Sequence, residues 1–236
     1  MTSHQWPVEP APAVTLLVVA KEPVPGRVKT RLTPPFTPAQ AAAVAEAAIA
    51  DTLTAVDCLT RLPGIGPVRP VLVLDGAVGP WLRTPIEVVP QAPGPFDARL
   101  AAAFDAAAGP ALLIGMDTPQ VTPALLADAC RALARADAVF GPAADGGWWA
   151  LGLRRPDGRL LRGVATSRPD TGARQRERLA QAGLLVTTLP VLRDVDTDAD
   201  ADAVARLVPH GRFAAAVRTI RTGEAGTGAA RPLVRR

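Results

Sequence analysis

The sequence predicts a single α/β domain, a three-layer α/β/α sandwich built around a mostly parallel sheet. Short, unbroken apolar runs such as residues 14–20 (VTLLVVA) and 111–114 (ALLI) are typical of strands that are covered on both faces. They alternate along the chain with longer, alanine-rich segments whose apolar residues recur at helical spacing. This alternation indicates parallel strands joined by helices, and 236 residues with 48% hydrophobic content suffice for one large core.

The order of the elements follows from these patterns and from the turn residues between them. Strands are predicted over residues 14–20, 68–74, 86–89, 111–114, 138–140, 148–153 and 184–189. Helices are predicted over residues 38–62, 96–108, 122–136, 172–182, 198–207 and 213–220. We expect residues 1–13 to form a disordered leader, residues 14–221 the domain, and residues 222–236 a flexible basic tail.

Histidine and serine are too scarce for several kinds of catalysis. The only histidines are His4 and His210, the only serines are Ser3 and Ser167, and the chain has no tyrosine or asparagine. A Ser-His-Asp or Cys-His mechanism therefore lacks its parts, and a zinc site of histidine and cysteine is disfavoured. A metal site would have to use oxygen ligands, which favours a hard ion such as Mg²⁺ or Mn²⁺.

Cysteine usage and charge bear on the compartment and on the class of partner. Cys58 and Cys130 stand alone in two predicted helices, as packed, reduced thiols of a cytoplasmic protein do. No apolar run approaches the roughly 18 residues of a membrane span, and no secretory signal is visible. Several arginines lie near the C-terminus without interleaved aromatic residues, which favours a solvated tail over nucleic-acid binding.

One carboxylate follows directly after a buried strand. Asp117 ends the run ALLIGMD, at the carboxyl edge of the predicted sheet, where ligands bind in open α/β sheets. The alternative is that Asp117 only caps the helix that begins near Thr122. Since Thr122 lies nearer to that helix and is itself a good cap, Asp117 is available for a functional role.

A basic loop follows the first strand. Residues 21–32 (KEPVPGRVKTRL) carry Lys21, Arg27, Lys29 and Arg31, with backbone amides around Gly26, which suits an anionic ligand. The loop is not a Walker motif, because valine rather than glycine precedes the lysine. The alternative is a solvated basic loop, the usual fate of a run of charges.

A glycine-rich turn follows the fifth predicted strand. In residues 141–149 (GPAADGGWW), Asp145 precedes two glycines that allow a backbone to approach a ligand closely. Trp148 and Trp149 could supply one core ring and one stacking surface. The alternative is a tight turn in which Asp145 is simply the Asx residue.

Acidic residues cluster in LRDVDTDAD, where a strand and a loop lead into a helix. Thr197 or Asp198 is expected to cap that helix. The remaining carboxylates, Asp194 and Asp196, repel each other unless a cation lies between them. Together with Asp117, one of the two would complete a site for a divalent ion that carries a nucleotide's phosphates.

Five stretches within residues 14–204 resemble, in order, an uncharacterised bacterial family of glycosyltransferase-A-fold transferases: AKEPVPGRVKTRL, QAPGPFDARLAAAF, LLIGMDTPQVTPALL, DAVFGPAADGGWWALGL and LPVLRDVDTDADA. The chain is similar, more distantly, to the phospholactate and molybdenum-cofactor guanylyltransferases. The resemblance implies a glycosyltransferase-A type of fold, a nucleotide-binding half formed by the first strands, and a divalent metal, Mg²⁺ or Mn²⁺.

The resemblance also implies roles for individual residues. The nucleotide would contact Ala20, Lys21, Gly26, Lys29, Arg31, Gln91 and Arg99. The metal ligands would be Asp117 and Asp196, with Asp194 as the alternative to Asp196. The acceptor side would comprise Asp145, Gly146, Gly147, Trp148, Trp149 and Ser167. The chain departs from the family where Trp148-Trp149 replaces a frequent Tyr-Tyr pair, and where Ala165-Thr166-Ser167 replaces a frequent Trp-Ser-Thr stretch.

These observations predict a metal-dependent transferase that uses a nucleotide-activated small-molecule donor and a second molecule as acceptor. Lys29, Arg31 and Asp117 would carry the catalysis, mainly by positioning and electrostatic stabilisation. Two reactions stay open: glycosyl transfer from a nucleotide sugar, and nucleotidyl transfer to a phosphorylated acceptor. The alternative from another class is a non-catalytic nucleotide- or anion-binding module that regulates a partner.

Overall fold

Seven strands form one sheet at the centre of the molecule. The structure, a computed structural model, describes residues 13–223, so the predicted leader and nearly all of the predicted tail lie outside the described residues. The strands are β1 (Val14–Lys21), β2 (Val68–Asp75), β3 (Glu87–Pro90), β4 (Ala111–Gly115), β5 (Ala138–Pro142), β6 (Trp148–Leu153) and β7 (Val186–Thr188).

The order of the strands across the sheet is β3-β2-β1-β4-β6-β5-β7. The pairs β1–β2, β1–β4, β2–β3 and β5–β7 are parallel, whereas β6 is antiparallel to both β4 and β5. The mostly parallel sheet is thus confirmed. The chain moves outward from β1 through β2 to β3 and then returns to the other side of β1, which creates a topological switch point between β1 and β4.

Helices cover both faces of the sheet. They are α1 (Pro38–Thr60), α2 (Phe96–Asp105), α3 (Pro123–Leu133), α4 (Thr171–Gln181), α5 (Asp198–Leu207) and α6 (Arg212–Thr222). Buried residues of α1 and α3 pack on one face, and those of α2 and α4 pack on the other. A third cluster joins α5 and α6 to the outer side of α1. The predicted three-layer sandwich is confirmed.

Three of the helices begin at threonine caps, as their sequences favour. Thr37 accepts a hydrogen bond from the backbone N–H of Gln40, Thr122 from that of Leu125, and Thr197 from that of Asp200. Each cap satisfies one of the orphan amides at a helix start. Because Thr122 fills this role for α3, Asp117 is not needed as the cap.

Two features of the outer elements differ from the expectations. Helix α2 ends at Asp105 rather than residue 108, because the glycine and proline before β4 do not continue a helix. Cys58 is exposed rather than packed, whereas Cys130 is buried, and its burial raises the pKa of the thiol to about 11. No helix between residues 13 and 223 is long and apolar enough to span a bilayer.

Candidate active site

The register of three strands brings three charged residues to one edge of the sheet. Lys21 at the end of β1 pairs with Asp75 at the end of β2. Val19 pairs with Gly115 of β4, so Asp117, two residues further on, is level with Lys21. Since parallel strands end at the same edge, these groups converge beyond the switch point between β1 and β4.

A cavity of about 690 Å³ opens over this edge. It is lined by the ends of β1, β2 and β4, by the first turn of α2 and by the start of β6. The loop residues that line it are 27–31, 166–169, Asp145, Gly147, Asp194, Asp196 and Thr197. Its volume lies in the range of small-molecule and cofactor sites. Among the described residues, six buried side-chain polar atoms lack a hydrogen-bond partner, and three of them line the cavity: Arg99 Nε, Thr118 Oγ1 and Asp194 Oδ1.

One end of the cavity holds the carboxylate cluster, by which we mean Asp117, Asp194 and Asp196. Lys29 Nζ lies 2.5 Å from Asp117 Oδ1 and 3.8 Å from Asp196 Oδ1. Arg31 Nη1 lies 3.1 Å from Asp196 Oδ2 on the solvent side. The Lys29 side chain is only 5% exposed, whereas that of Asp117 is 43% exposed and open to the cavity.

Lys29 is positioned by its backbone. Its φ of 48° and ψ of 38° place it in the left-handed region, immediately before the one-turn helix Thr30–Leu32. Buried Val28 and Leu32 anchor the loop on either side, and Lys29 Nζ also donates to the carbonyl of Val195. The left-handed conformation costs a non-glycine residue energy, and such residues concentrate at functional sites. The printed sequence has only two lysines, Lys21 and Lys29, and both line the cavity.

The segment that carries the other two carboxylates is held against the end of β4. Val195 N donates to the carbonyl of Asp117 over 2.9 Å, and Gln120 Nε2 donates to the carbonyl of Arg193 over 2.7 Å. The Val195 side chain is fully buried against the α1–α6 cluster. In an extended segment alternate side chains share a side, so Asp194 and Asp196 both turn toward the cavity that they line.

The surroundings of Asp194 perturb its pKa strongly. Burial, followed by the negative charges of Asp117 and Asp145, raises the pKa of Asp194 to about 8. Its Oδ1 is buried without a hydrogen-bond partner. A carboxylate in this state gains from any cation that enters the cavity.

The opposite end holds the arginine corner, by which we mean Asp75, Gln91, Phe96 and Arg99. Arg99 Nη1 donates to Asp75 Oδ2 over 3.1 Å and to Gln91 Oε1 over 2.9 Å. Gln91 Nε2 is fixed in turn by the carbonyls of Ala20 and Val73. The Phe96 ring is 39% exposed, with the Arg99 guanidinium 5.3 Å from its centroid. An exposed ring beside a fixed polar network suits a flat ligand that stacks and hydrogen-bonds.

The turn after β5 forms a further wall. Asp145 Oδ1 accepts a hydrogen bond from Gly147 N over 2.9 Å, which is the predicted Asx geometry. Gly146 has a φ of 90°, and a Cβ there would lie 2.0 Å from the Pro169 carbonyl oxygen, so only glycine fits. The Trp149 ring is buried and donates to the carbonyl of Pro190, which makes it a wall rather than a stacking surface.

The structure brings most of the predicted site residues into this one cavity. Those that line it are Ala20, Lys21, Lys29, Arg31, Gln91, Arg99, Asp117, Asp145, Gly147, Trp148, Trp149, Ser167 and Asp196. Gly26 and Gly146 do not line it; Gly26 takes a φ of 76° in an exposed turn, and Gly146 packs on Pro169. Asp75 and Phe96 line the cavity but were not predicted, although Asp75 stands at a strand end just as Asp117 does.

The donor set suits a hard divalent cation, but the cluster is not preassembled around one. Within the described part of the chain, no group of three or more histidines, cysteines, aspartates or glutamates is arranged to hold a metal ion. Asp117 and Asp196 share the Lys29 ammonium instead. Carboxylate oxygens and the unpartnered Asp194 Oδ1 nevertheless match the ligand preference of Mg²⁺ or Mn²⁺.

Comparisons with known proteins agree with this architecture. A solved structure of a Desulfovibrio desulfuricans G20 protein, provisionally named a nucleotide-diphospho-sugar transferase, superposes with a TM-score of 0.75 and 27% identity, over 90% of this chain and 95% of that one. A CMP:2-keto-3-deoxy-manno-octonic acid synthetase shares only the fold, with a TM-score of 0.53 and 12% identity, over 84% of this chain and 99% of that one.

The sequence comparisons point the same way. The chain is 28% identical over 198 residues to the 2-phospho-L-lactate guanylyltransferase of Natrialba magadii, covering 80% of this chain and 81% of the relative. The model of the DUF2064 family, described as uncharacterized proteins conserved in bacteria, matches residues 60–168. The resemblance predicted from the motifs is therefore confirmed: the chain is similar to this uncharacterised bacterial family and, at a distance, to a guanylyltransferase.

Proposed function

We propose that this protein is a metal-dependent transferase that binds a nucleoside triphosphate across the cavity and transfers its nucleotidyl group to a phosphorylated small molecule. The observation that carries the proposal is the pairing of two unlike ends in one cavity. Lys29, Arg31 and the carboxylate cluster stand at one end, and the exposed ring of Phe96 stands at the other. A nucleotide, with an aromatic base and a charged phosphate chain, matches that division.

The arginine corner would bind the base. The Phe96 ring offers a face for stacking, Asp75 accepts N–H donors, and Arg99 donates to a keto oxygen. Guanine presents a keto oxygen beside two N–H donor groups, whereas adenine presents an acceptor where guanine has its ring N–H. The guanylyltransferase relative supports the same base.

Lys21, Lys29 and Arg31 would bind the phosphates. All three cationic side chains line the cavity. Asp117 and Asp196 would hold the divalent cation, which when bound would supply charge neutralisation for the phosphates. Lys29 and Arg31 would stabilise the negative charge that develops on the leaving group.

The transfer needs no protein nucleophile. An oxygen of the acceptor's phosphate forms a bond to the α-phosphorus, the bond from that phosphorus to the bridging oxygen of the β-phosphate breaks, and pyrophosphate leaves. Trp148, Ser167 and Arg168 line the part of the cavity beside the turn after β5, and they would position the acceptor. Catalysis would then consist of positioning and electrostatic stabilisation, as in other phosphoryl transfers.

Glycosyl transfer is the second candidate. The observation that favours it is the similarity in fold and sequence to the Desulfovibrio protein named a nucleotide-diphospho-sugar transferase. The two reactions are distinguished by their products, because nucleotidyl transfer releases pyrophosphate and glycosyl transfer releases a nucleoside diphosphate. Both use the same phosphate-binding groups.

The decisive experiment is a thermal-shift panel of nucleoside triphosphates and nucleotide sugars, each with and without Mn²⁺. We expect guanosine triphosphate with Mn²⁺ to raise the Tm most. If no nucleotide raises the Tm in a metal-dependent manner, the transferase proposal is wrong. A non-catalytic binding module is indicated instead if Asp117→Asn and Asp196→Asn leave nucleotide affinity unchanged with and without Mn²⁺.

The role of Lys29 in phosphate binding has its own test. Lys29→Ala should weaken binding of the triphosphate by roughly tenfold or more while leaving affinity for the nucleoside nearly unchanged, since the ammonium makes charge-assisted contacts only to phosphate. Isothermal titration of the triphosphate and of guanosine measures both. Equal losses for the two ligands would mean that the loop does not hold phosphates.

A further inference from the structure

The Lys29 ammonium lies between two of the carboxylates that a divalent cation would need. Its Nζ is 2.5 Å from Asp117 Oδ1 and 3.8 Å from Asp196 Oδ1, and it also donates to the carbonyl of Val195. A lysine ammonium has three N–H donors. The contacts to Asp117 and to the Val195 carbonyl, with the longer ion pair to Asp196, therefore occupy all the N–H groups of Lys29 that face the cluster.

Both candidate metal ligands are consequently neutralised in the free protein. Asp117 is paired with Lys29, and Asp196 is paired with Lys29 and with Arg31, whose Nη1 lies 3.1 Å from its Oδ2. A divalent cation that entered between the two carboxylates would meet an ammonium at contact distance, where like charges repel strongly in a partly buried site. With Lys29 in this position, the cluster is closed to a second cation.

The same lysine can leave this position without unfolding the loop. Its ammonium sits at the end of a flexible four-carbon stem, while its backbone is anchored by the buried neighbours Val28 and Leu32. Asp117 is 43% exposed toward the cavity, so the ammonium lies at the border of the space that a triphosphate would fill. Phosphate oxygens are an equivalent set of acceptors for the three N–H groups.

We infer that Lys29 acts as a latch that excludes divalent metal from the carboxylate cluster until the phosphates of the nucleotide draw its ammonium away. This inference rests on the proposed nucleotide site. The consequence is an obligatory coupling in which the free protein binds Mg²⁺ or Mn²⁺ poorly, and the phosphate chain opens the cation site that it then shares. Metal and nucleotide therefore bind with positive cooperativity. The free energy needed to move the Lys29 ammonium away from the carboxylates comes from the tighter binding of the nucleotide to the opened site.

The test compares Mn²⁺ binding to nucleotide-free protein in the wild type and in Lys29→Met, followed by electron paramagnetic resonance of the unbound ion and by thermal shift. We expect Lys29→Met to bind Mn²⁺ at least tenfold more tightly than the wild type, and Mn²⁺ alone to raise its Tm. Arg61→Met is the control, because Arg61 pairs with Asp57 on the exposed surface of α1 and does not line the cavity. It should bind Mn²⁺ as the wild type does.

Two further variants keep the outcome interpretable. Lys29→Gln covers the case in which Lys29→Met fails to fold, and Lys29→Met combined with Asp117→Asn should lose the gained Mn²⁺ affinity. Equal nucleotide-free Mn²⁺ affinity in the wild type and the folded Lys29 variant would overturn the latch. If the wild type then still shows a metal-dependent shift with guanosine triphosphate, the proposed function stands without it; if that shift is absent, the proposed function itself fails.

Discussion

The two ends of the cavity solve the problem of burying polar groups in opposite ways. In the arginine corner each charge meets its counterpart: Arg99 is shared by Asp75 and Gln91, and Gln91 is tied to two backbone carbonyls. In the carboxylate cluster one buried lysine pairs with Asp117 and Asp196, one exposed arginine pairs with Asp196, and no ion pair among the described residues includes Asp194. Asp194 is left with a raised pKa and an unpartnered oxygen.

This difference in pairing indicates which end of the cavity is already arranged for a ligand and which end must rearrange first. Apart from the unpartnered Arg99 Nε, the side-chain groups of the arginine corner are hydrogen-bonded to one another or to backbone carbonyls, so the corner presents a fixed pattern of groups beside the Phe96 ring. An excess of like charge has no single satisfied arrangement, and it favours a divalent cation once the Lys29 ammonium has been drawn away. Selectivity for the base should therefore depend on the corner, and the coupling to metal on the cluster.

The largest effect should come from the cluster. Asp117→Asn removes the charge that Lys29 and the cation both require, so product formation from guanosine triphosphate with Mn²⁺ should fall by roughly 10²–10³-fold, the scale of losing one electrostatic contact to the transition state. The released pyrophosphate measures it. Metal-free binding of the nucleoside should change little, and a comparable loss there would place Asp117 outside the metal-dependent step.

A smaller effect is expected from the corner, on selectivity rather than on rate. Asp75→Asn replaces an acceptor by a group that also donates, so preference for guanosine over adenosine triphosphate should fall by roughly tenfold, as loss of a bidentate contact would predict. Competitive titration of the two nucleotides gives the ratio. Asp57→Asn, which removes an exposed partner of Arg61 on α1, is the matched control and should leave the ratio unchanged.

The smallest effect concerns thermal stability. It distinguishes an acid whose pKa is raised by burial, Asp194, from an acid whose pKa is lowered by an ion pair, Asp170. Burial and the charges of Asp117 and Asp145 raise the pKa of Asp194 to about 8. The unfolded chain releases this proton near pH 4, so the contribution of Asp194 to stability is complete below about pH 4 and is lost as the pH rises to 8. Asp194→Asn should therefore match the wild type at pH 4 and exceed its Tm by several degrees at pH 8.

Calorimetry in the presence of a chelator measures that Tm difference. Asp170→Asn provides the opposite case, because the hydrogen bond from Arg174 lowers the pKa of Asp170 and its ion pair forms above that pKa. Since the pair is exposed, its removal should change the Tm very little at pH 8. A pH-independent gain in Asp194→Asn would mean that the cluster does not repel its own charges.

The layers of the fold were predictable because they depend on local pattern. The run at residues 14–20 is apolar on both sides and could only be a covered strand, and β6 was predicted with its observed bounds, Trp148–Leu153. The direction of β6 was not predicted, although the sequence carries the signal: parallel neighbours need a crossover of roughly a dozen residues or more, and only a short connection separates β5 from β6. That choice is made by the short turn of residues 143–147, which can only reverse the chain.

The grouping of the candidate residues in one cavity was predictable where a residue follows the end of a strand. Asp117 follows the last apolar residues of β4, and Lys29 and Arg31 lie in the loop after β1; all three meet in the cavity. Phe96 was missed because the exposure of an aromatic ring depends on the packing around it. Its position as the first residue of a helix does not indicate whether the ring is buried or exposed. The contrast between Asp194 and Asp196 was also hidden. The alternation of an extended segment does not show that Asp194 has a buried oxygen without a partner while Asp196 pairs with Lys29 and Arg31.

The reversed strand β6 has a consequence for how such a protein could change over time. Its first residue, Trp148, enters the sheet at the edge where β4 and β5 leave it, so the walls formed by residues 145–149 and 166–169 all belong to the chain after β4. Asp75, Gln91 and Arg99 all precede β4. One crossover within the gene, placed at β4, would therefore combine the arginine corner of one homologue with the wall after β5 of another in a single cavity.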